Sequence, residues 1–115
     1  MLVIRDEQLA ALTGERRQRV VIAEAERLRA RFHDLLNQSS ADAVRALVAA
    51  GIVAAAAHGL EREGDVRRYL DYVVCLGPTF DAVPDVAAIL AQRTLSARAR
   101  LDLLDDWFVF SNRSA

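Results

Sequence analysis

The sequence predicts an all-α fold, a compact bundle of five to six helices that residues 1–115 form as a single domain. Composition favours helix, because 21 of the 115 residues are alanine, whereas only 5 are glycine and 2 are proline. Periodicity favours it as well, because apolar residues recur every three or four positions along most of the chain. Residues 1–5 are expected to be an apolar lead-in, and residues 111–115 a polar tail.

The first long helix is predicted from Glu15 to about Leu36. Thr13-Gly14 is expected to kink or divide it from one or two helical turns that start at Asp6. Its apolar residues are spaced by four and three in alternation and form one stripe: Val21, Ala25, Leu28, Phe32 and Leu35. The other faces are charged and include Glu24. This pattern predicts an amphipathic helix.

The third helix is predicted to be the central and most buried one. Residues 37–40 form the clearest loop, and Ser40 or Ser39 can cap the helix that follows. This helix is expected to end at Gly59. Its stripe contains small residues, which allow a neighbouring helix to approach closely: Val44, Leu47, Val48, Gly51, Ile52 and Ala55.

Clear start and stop signals mark the later helices. Asp65 is predicted to cap a fourth helix, which Gly77 and Pro78 end. The apolar positions of that helix are Val66, Tyr69, Leu70, Val73 and Leu76. Pro84 fits the first position of a short helix, and Ser96 can cap the last one. We expect the third and fourth helices to form the core.

The last helix leads into four consecutive large apolar residues, Trp107 to Phe110. They cannot all face one side of a helix, because successive side chains are about 100° apart. Two interpretations remain: a tail folded over its own core, or an element that binds a partner, since Trp and Phe are favoured anchors in protein interfaces. Trp107, Phe108 and Phe110 are therefore candidate partner-binding residues.

The charge pattern argues against nucleic acid as a partner. The formal net charge is −1, and the arginines between residues 16 and 31 are spread around the helix and interrupted by glutamates. All fifteen basic residues are arginine. A GC-rich genome would explain this bias, and the alternative is the suitability of arginine for interface ion pairs. Arg16, Arg27 and Arg31 are the second candidate for a partner-binding surface.

No segment of the sequence is predicted to enter a membrane. The longest uncharged apolar run, residues 46–57, falls short of the roughly 18 to 20 residues that a spanning helix needs. The N-terminus has no secretory signal pattern. The single cysteine, Cys75, excludes an internal disulfide and is expected to be a buried structural thiol. These observations predict a cytoplasmic protein.

Catalysis, a metal and a cofactor are not predicted. The two histidines, His33 and His58, are expected near the ends of different helices, where the helix dipole favours them. No metal-binding spacing of histidine or cysteine, no activated serine and no glycine-rich phosphate loop is present. Aspartates occur in close pairs, but caps, turns and solvated faces account for them. The sequence therefore predicts a protein that is not an enzyme.

The whole pattern resembles a family of small bacterial proteins encoded in type VI secretion effector clusters. The central residues that carry the resemblance are Gly59-Leu60, Asp65, Arg68-Tyr69-Leu70, Leu76-Gly77-Pro78 and Phe80-Asp81. The flanking ones are Val3-Ile4-Arg5, Gln8, Leu9, Phe32, Ile89-Leu90, Leu95-Ser96 and Ala99-Arg100-Leu101. The resemblance extends over about residues 3–104. It implies no cofactor and no catalytic residues.

For function, the resemblance implies an interaction protein. It would be an accessory factor or co-adaptor that binds a type VI effector, or the adaptor (chaperone) of that effector, before loading on the secretion spike. The alternative is an immunity protein that neutralises a toxin encoded nearby. Both roles are compatible with the sequence. A monomer and a homo-oligomer are also both compatible with it.

Overall fold

Six α-helices and two short 3-10 helices make up most of the chain that the computed structural model describes, residues 9–113. The α-helices are α1 (Gly14–Arg31), α2 (His33–Leu36), α3 (Ala41–Ala57), α4 (Glu63–Leu76), α5 (Pro84–Leu90) and α6 (Ala97–Arg113). The 3-10 helices are Leu9–Ala11 and Phe80–Ala82. No β-strand occurs within residues 9–113, and the all-α prediction is confirmed. The predicted lead-in, residues 1–5, lies outside the described residues.

α3 lies at the centre of the bundle, and α1 and α4 pack against it. Its buried stripe meets the buried stripe of α4 in a hydrophobic core to which all the larger helices contribute. The two helices are in tight contact at Gly51, where an added Cβ would lie 2.5 Å from Cδ2 of the fully buried Leu70. Only glycine permits this approach without displacing Leu70. The prediction that the third and fourth helices form the core is confirmed in part, because α1, α5 and α6 also contribute fully buried residues such as Leu28, Leu90 and Leu101.

The predicted helix starts are mostly confirmed. Ser40 Oγ accepts a hydrogen bond from the backbone N–H of Ala43, with an oxygen–nitrogen distance of 3.0 Å, and so caps α3. Ser96 Oγ accepts one from Ala99 at the same distance and caps α6. Pro84 is the first residue of α5. Each cap satisfies a backbone donor that a helix leaves without an internal partner.

The predicted start of α4 is wrong. The helix begins at Glu63, after Arg62 in extended conformation, and no side chain caps it by hydrogen bonding. Asp65 lies inside the first turn, where the helix dipole still favours a negative charge. The predicted end is confirmed, because Gly77 follows the last helical residue with a φ of 98°, a backbone conformation that favours glycine.

The first long helix is divided, and the prediction of one continuous helix to Leu36 is wrong. α1 ends at Arg31, and Phe32 leaves the helical conformation with φ −115° and ψ 45°. α2 restarts out of phase with α1, so Leu36 is buried and Leu35 is 59% exposed. Leu35 therefore does not belong to the buried stripe that its spacing predicts.

Two arginines complete the C-terminal end of α3. Arg93 Nη2 donates a hydrogen bond to the carbonyl of Ala57 at 2.6 Å, and Arg100 Nη1 donates to that of His58 at 2.7 Å. Arg100 also donates to the carbonyl of Leu90 at 2.9 Å, at the end of α5. These carbonyls are acceptors that the helices leave without an internal donor. Burial lowers the pKa of the Arg100 guanidinium, and the nearby Arg93 lowers it further.

Three further findings concern the predicted cysteine, tail and membrane association. Cys75 is exposed at the end of α4, and the prediction of a buried thiol is wrong, because Cys75 lies off the buried stripe of that helix. α6 continues through Ser111 to Arg113, so the described part of the predicted tail is helical; residues 114–115 lie outside the described range. Within residues 9–113, none of the helices combines the length and the apolar character that crossing a bilayer requires.

Candidate protein-binding surface

The C-terminal half of α6 presents an apolar ridge to solvent, formed by Leu103, Trp107 and Phe110 (the α6 ridge). These residues are spaced i, i+4 and i+7 and therefore lie along one side of the helix. Leu103 is exposed, Trp107 is half-buried against the core, and Phe110 is 75% exposed. Leu101 and Leu104 face the core instead and are fully buried. The ridge thus borders the buried stripe of α6, and Trp107 contacts both the core and the exposed side.

The two interpretations of the aromatic segment apply to different residues of it. Trp107 and Phe108 pack against the hydrophobic core, as a folded-over tail requires. Val109 and Phe110 are exposed, as a partner-binding element requires. The segment stays helical throughout, so its four side chains point in different directions. The role of Trp107, Phe108 and Phe110 in partner binding stays a prediction.

A set of polar contacts holds α6 against α4. Arg68 Nη2 donates hydrogen bonds to carboxylate oxygens of Asp102, at 2.8 Å, and Asp105, at 2.7 Å. The Tyr72 hydroxyl donates to Asp105, and its ring meets that of Phe108 edge-on with 5.6 Å between centroids. Burial would lower the pKa of Arg68, but the hydrogen bonds to both aspartates raise it. These contacts orient α6 and therefore position the ridge on its outer side.

An open cleft of about 310 Å³ lies between α1, α4 and α6, and none of the ridge residues lines it. The Phe32, Tyr72 and Phe108 side chains line it together with Asp71, Asp105, Arg31, Arg68 and Cys75. The charges in this cleft balance, with two aspartates and two arginines. Although Cys75 is exposed, partial desolvation by the surrounding cleft raises the pKa of its thiol and Asp71 raises it further, so the thiol is a poor nucleophile at neutral pH.

The three predicted arginines do not lie together. Arg27 Nη1 and Arg31 Nε pair with Asp71 of α4, with nitrogen–oxygen distances of 3.1 and 3.5 Å. Arg31 also lies over the Phe32 ring, 5.3 Å from its centroid. Arg16 is exposed near the start of α1, about 22 Å along the helix from Arg31. The structure therefore divides the predicted charged face into two regions, and its role in binding stays a prediction.

Glu24 is a buried charged residue whose role the sequence did not reveal. It is only 3% exposed, although the periodicity places it among the charged faces of α1. Its carboxylate accepts hydrogen bonds from Nε of Arg27 and Nε of Arg67, both at 2.9 Å, and Arg67 also pairs with Glu63 at 3.1 Å. The network joins α1 to α4. A buried carboxylate needs such partners, so its position is a structural requirement of the fold.

A second polar cluster, formed by His58, Tyr69 and Asp81, lies at the C-terminal end of α3. His58 Nε2 and the carboxylate of Asp81 lie 2.9 Å apart, and the Tyr69 hydroxyl donates to the same carboxylate oxygen at 3.3 Å. The Tyr69 ring packs between His58 and Phe80, with centroid distances of 6.0 and 5.0 Å. The cluster ties α3 and α4 to the Phe80–Ala82 turn. Within residues 9–113, histidine, cysteine and acidic side chains form no group of three that could hold a metal.

The two tyrosines, Tyr69 and Tyr72, give a measurable prediction. Burial raises the pKa of both phenols above the usual value near 10, and the carboxylates of Asp81 and Asp105 raise them further. The folded state thus favours the neutral phenols, so this contribution to stability is fully present below about pH 10 and is lost as the pH rises further. At about pH 11 we expect little tyrosinate absorbance from folded protein and nearly full absorbance in denaturant. Equal absorbance in the two samples would contradict the described burial.

No model of a protein family, no curated protein and no solved structure matches this chain. The comparisons therefore add no relative from which a role could be transferred to the α6 ridge or to the polar clusters. The resemblance to proteins of type VI secretion clusters rests on the sequence pattern alone and stays a prediction.

Proposed function

We propose that the protein is a non-catalytic interaction protein that binds another protein through the α6 ridge. The observation that carries this proposal is the 75% exposure of Phe110, in line with Leu103 and Trp107 on one side of α6. A helix that presents apolar side chains at i, i+4 and i+7 has the form by which helices bind hydrophobic grooves. Trp and Phe are also among the side chains that are enriched in protein interfaces.

The partner we propose is a type VI secretion effector, or the adaptor of such an effector, met in the cytoplasm. The support for this choice is the sequence resemblance, which runs through most of the described chain. The alternative is an immunity protein that binds a toxin encoded nearby. Both roles use an exposed binding surface, so the α6 ridge is compatible with each.

The ridge is tested by alanine substitutions measured against the proteins encoded next to the gene. Phe110→Ala should weaken the complex by about 2 kcal/mol, roughly a 30-fold rise in Kd, because an interface anchor is truncated. Its melting temperature should stay nearly unchanged, since Phe110 is exposed. Trp107→Ala should weaken the complex as well, with some loss of stability because Trp107 also touches the core. Calorimetric titration measures Kd, and thermal unfolding measures stability.

Val109→Ala is the matched control, because Val109 is also exposed but lies off the ridge. Its Kd should stay within about threefold of the unsubstituted protein. If Phe110→Ala and Val109→Ala bind equally well, the ridge is not the binding surface. If none of the neighbouring gene products binds at micromolar concentration, the accessory role is wrong.

Co-expression separates the two roles. An accessory factor should leave a neighbouring toxin active and increase its loading or secretion. An immunity protein should restore growth of cells that express the toxin, and Phe110→Ala should reduce that rescue.

A further inference from the structure

The outer side of α3 carries no charged side chain between Ala46 and Ala57. A surface helix normally presents charges to solvent, as α1 does, and a helix that is apolar all round is normally covered. In α3 one side is buried in the core, and the other side remains exposed or half-exposed. The residues on that outer side are Ala43, Ala46, Leu47, Ala50, Val53, Ala54 and Ala57 (the α3 face).

The α3 face is symmetric about Ala50. Its members lie three, four and seven residues to either side of this central alanine, so 43 corresponds to 57, 46 to 54, and 47 to 53. Two such helices packed antiparallel about a two-fold axis at Ala50 would each place an apolar residue opposite an apolar residue. This is the self-complementary arrangement that a symmetric dimer requires.

The shape of the face is complementary to itself as well. Val53 is the largest strongly exposed side chain of the α3 face, with 57% of its surface accessible. An open apolar groove of about 440 Å³ lies on the other side of Ala50, between α3 and the end of α4. Ala43, Ala46, Leu47, Ala50, Gly51, Ala54, Val73 and Pro78 line it. In the antiparallel arrangement, Val53 of each copy lies opposite position 47 of the other and can enter that groove.

The charges at the two ends of α3 fit the same arrangement. Asp42 is exposed in the first turn of α3. At the other end, the exposed side chain of Arg93 is bound to the carbonyl of Ala57. An antiparallel pair brings Asp42 of one copy to the Arg93 end of the other, so opposite charges meet at both ends. The two helix dipoles are also aligned in opposite directions, which is favourable.

We propose that two copies of this chain associate through the α3 face, antiparallel about a two-fold axis at Ala50. The 17 residues of α3 make a face about 25 Å long. A contact limited to one such face buries less area than the interfaces of permanent dimers, so we expect an affinity in the micromolar range. The α6 ridge lies on a different helix, which packs on α4 and α5, so this proposal is independent of the proposed function.

Sedimentation velocity over the micromolar concentration range tests the proposal. The unsubstituted protein should shift from monomer to dimer as its concentration rises. Ala50→Arg should raise the dimer dissociation constant at least about tenfold, because two arginines would meet at the axis. Ala50 is exposed and arginine is a good helix former, so the circular dichroism spectrum and the melting temperature should not change. Phe110→Ala should dimerise normally.

Disulfide cross-linking provides a second readout. Ala50→Cys in a Cys75→Ser background should cross-link rapidly with a mild oxidant, because the two thiols would lie across the axis within bonding range. Ala88→Cys in the same background, exposed on α5, is the control and should cross-link slowly. A monomer at every concentration overturns the proposal, as does equal cross-linking of both variants. A dimer that survives Ala50→Arg but is lost in Phe110→Ala also overturns it and assigns the contact to the α6 ridge.

Discussion

A Leu70→Asp variant is expected to be largely unfolded at room temperature. Leu70 is fully buried and lies against Gly51 in the contact between α3 and α4. An aspartate at this position would place a carboxylate in the core without a partner, which costs several kcal/mol. Domains of this size are stable by only about 5 to 15 kcal/mol. Far-ultraviolet circular dichroism and thermal unfolding would measure the loss of helix.

Leu35→Asp is the matched control for this prediction. Leu35 is 59% exposed on α2, so the same substitution should change the stability by less than about 0.5 kcal/mol. The pair also tests the division of the first long helix, because one continuous helix would bury Leu35 with the rest of its stripe. Equal destabilisation by the two substitutions would mean that α1 and α2 do not divide at Phe32 as described.

The second large effect is expected from Glu24→Ala. The substitution removes the carboxylate that accepts hydrogen bonds from Arg27 and Arg67 and leaves both guanidinium groups without this partner. Removing one member of a buried, hydrogen-bonded charge cluster destabilises a fold strongly. Because Arg27 and Arg67 keep some solvent contact, we expect the free energy of unfolding to fall by about 2 to 3 kcal/mol. Urea unfolding should show a lower midpoint with an unchanged slope.

Glu26→Ala is the control, two residues further along the same helix and exposed. It should change the free energy of unfolding by less than about 0.5 kcal/mol and so leave the urea midpoint nearly unchanged. A Glu24→Ala midpoint equal to that of Glu26→Ala would show that the network joining α1 and α4 contributes nothing to stability.

The helices that the sequence predicts best are those whose ends carry a specific residue. Ser40 and Ser96 cap α3 and α6 by hydrogen bonds, and Gly77 ends α4 with a positive φ. Each of these signals acts within one turn of helix, so it can be recognised without knowledge of the tertiary structure. Most of the buried stripes of α3 and α4 were predictable for a related reason, since a 3.6-residue period defines one side of a helix. The exceptions in α4 are Leu76, which was predicted in the stripe but is 40% exposed, and Tyr72, which is buried but was not predicted.

The errors come from contacts between distant parts of the chain. Glu24 looks like a surface residue, but Arg67, 43 positions later, provides a partner for its burial. The break at Phe32 has no proline or glycine to signal it, so the sequence could not show that Leu36 and not Leu35 is buried. Sequence reasoning found the aromatics of the α6 ridge but not Leu103, which completes the i, i+4, i+7 line.

Arg100 makes the last turn of α3 depend on a part of the chain that is synthesised late. Its guanidinium reaches back 42 positions to the carbonyl of His58 and also binds that of Leu90. Until residue 100 has left the ribosome, the Arg100 guanidinium cannot donate to these carbonyls. A chain of only the first 90 or so residues therefore lacks a side-chain donor for the carbonyls at the ends of α3 and α5. These hydrogen bonds form only when α6 docks. α3 is thus synthesised well before α6, but the hydrogen bonding of its last turn is completed only after α6 is in place.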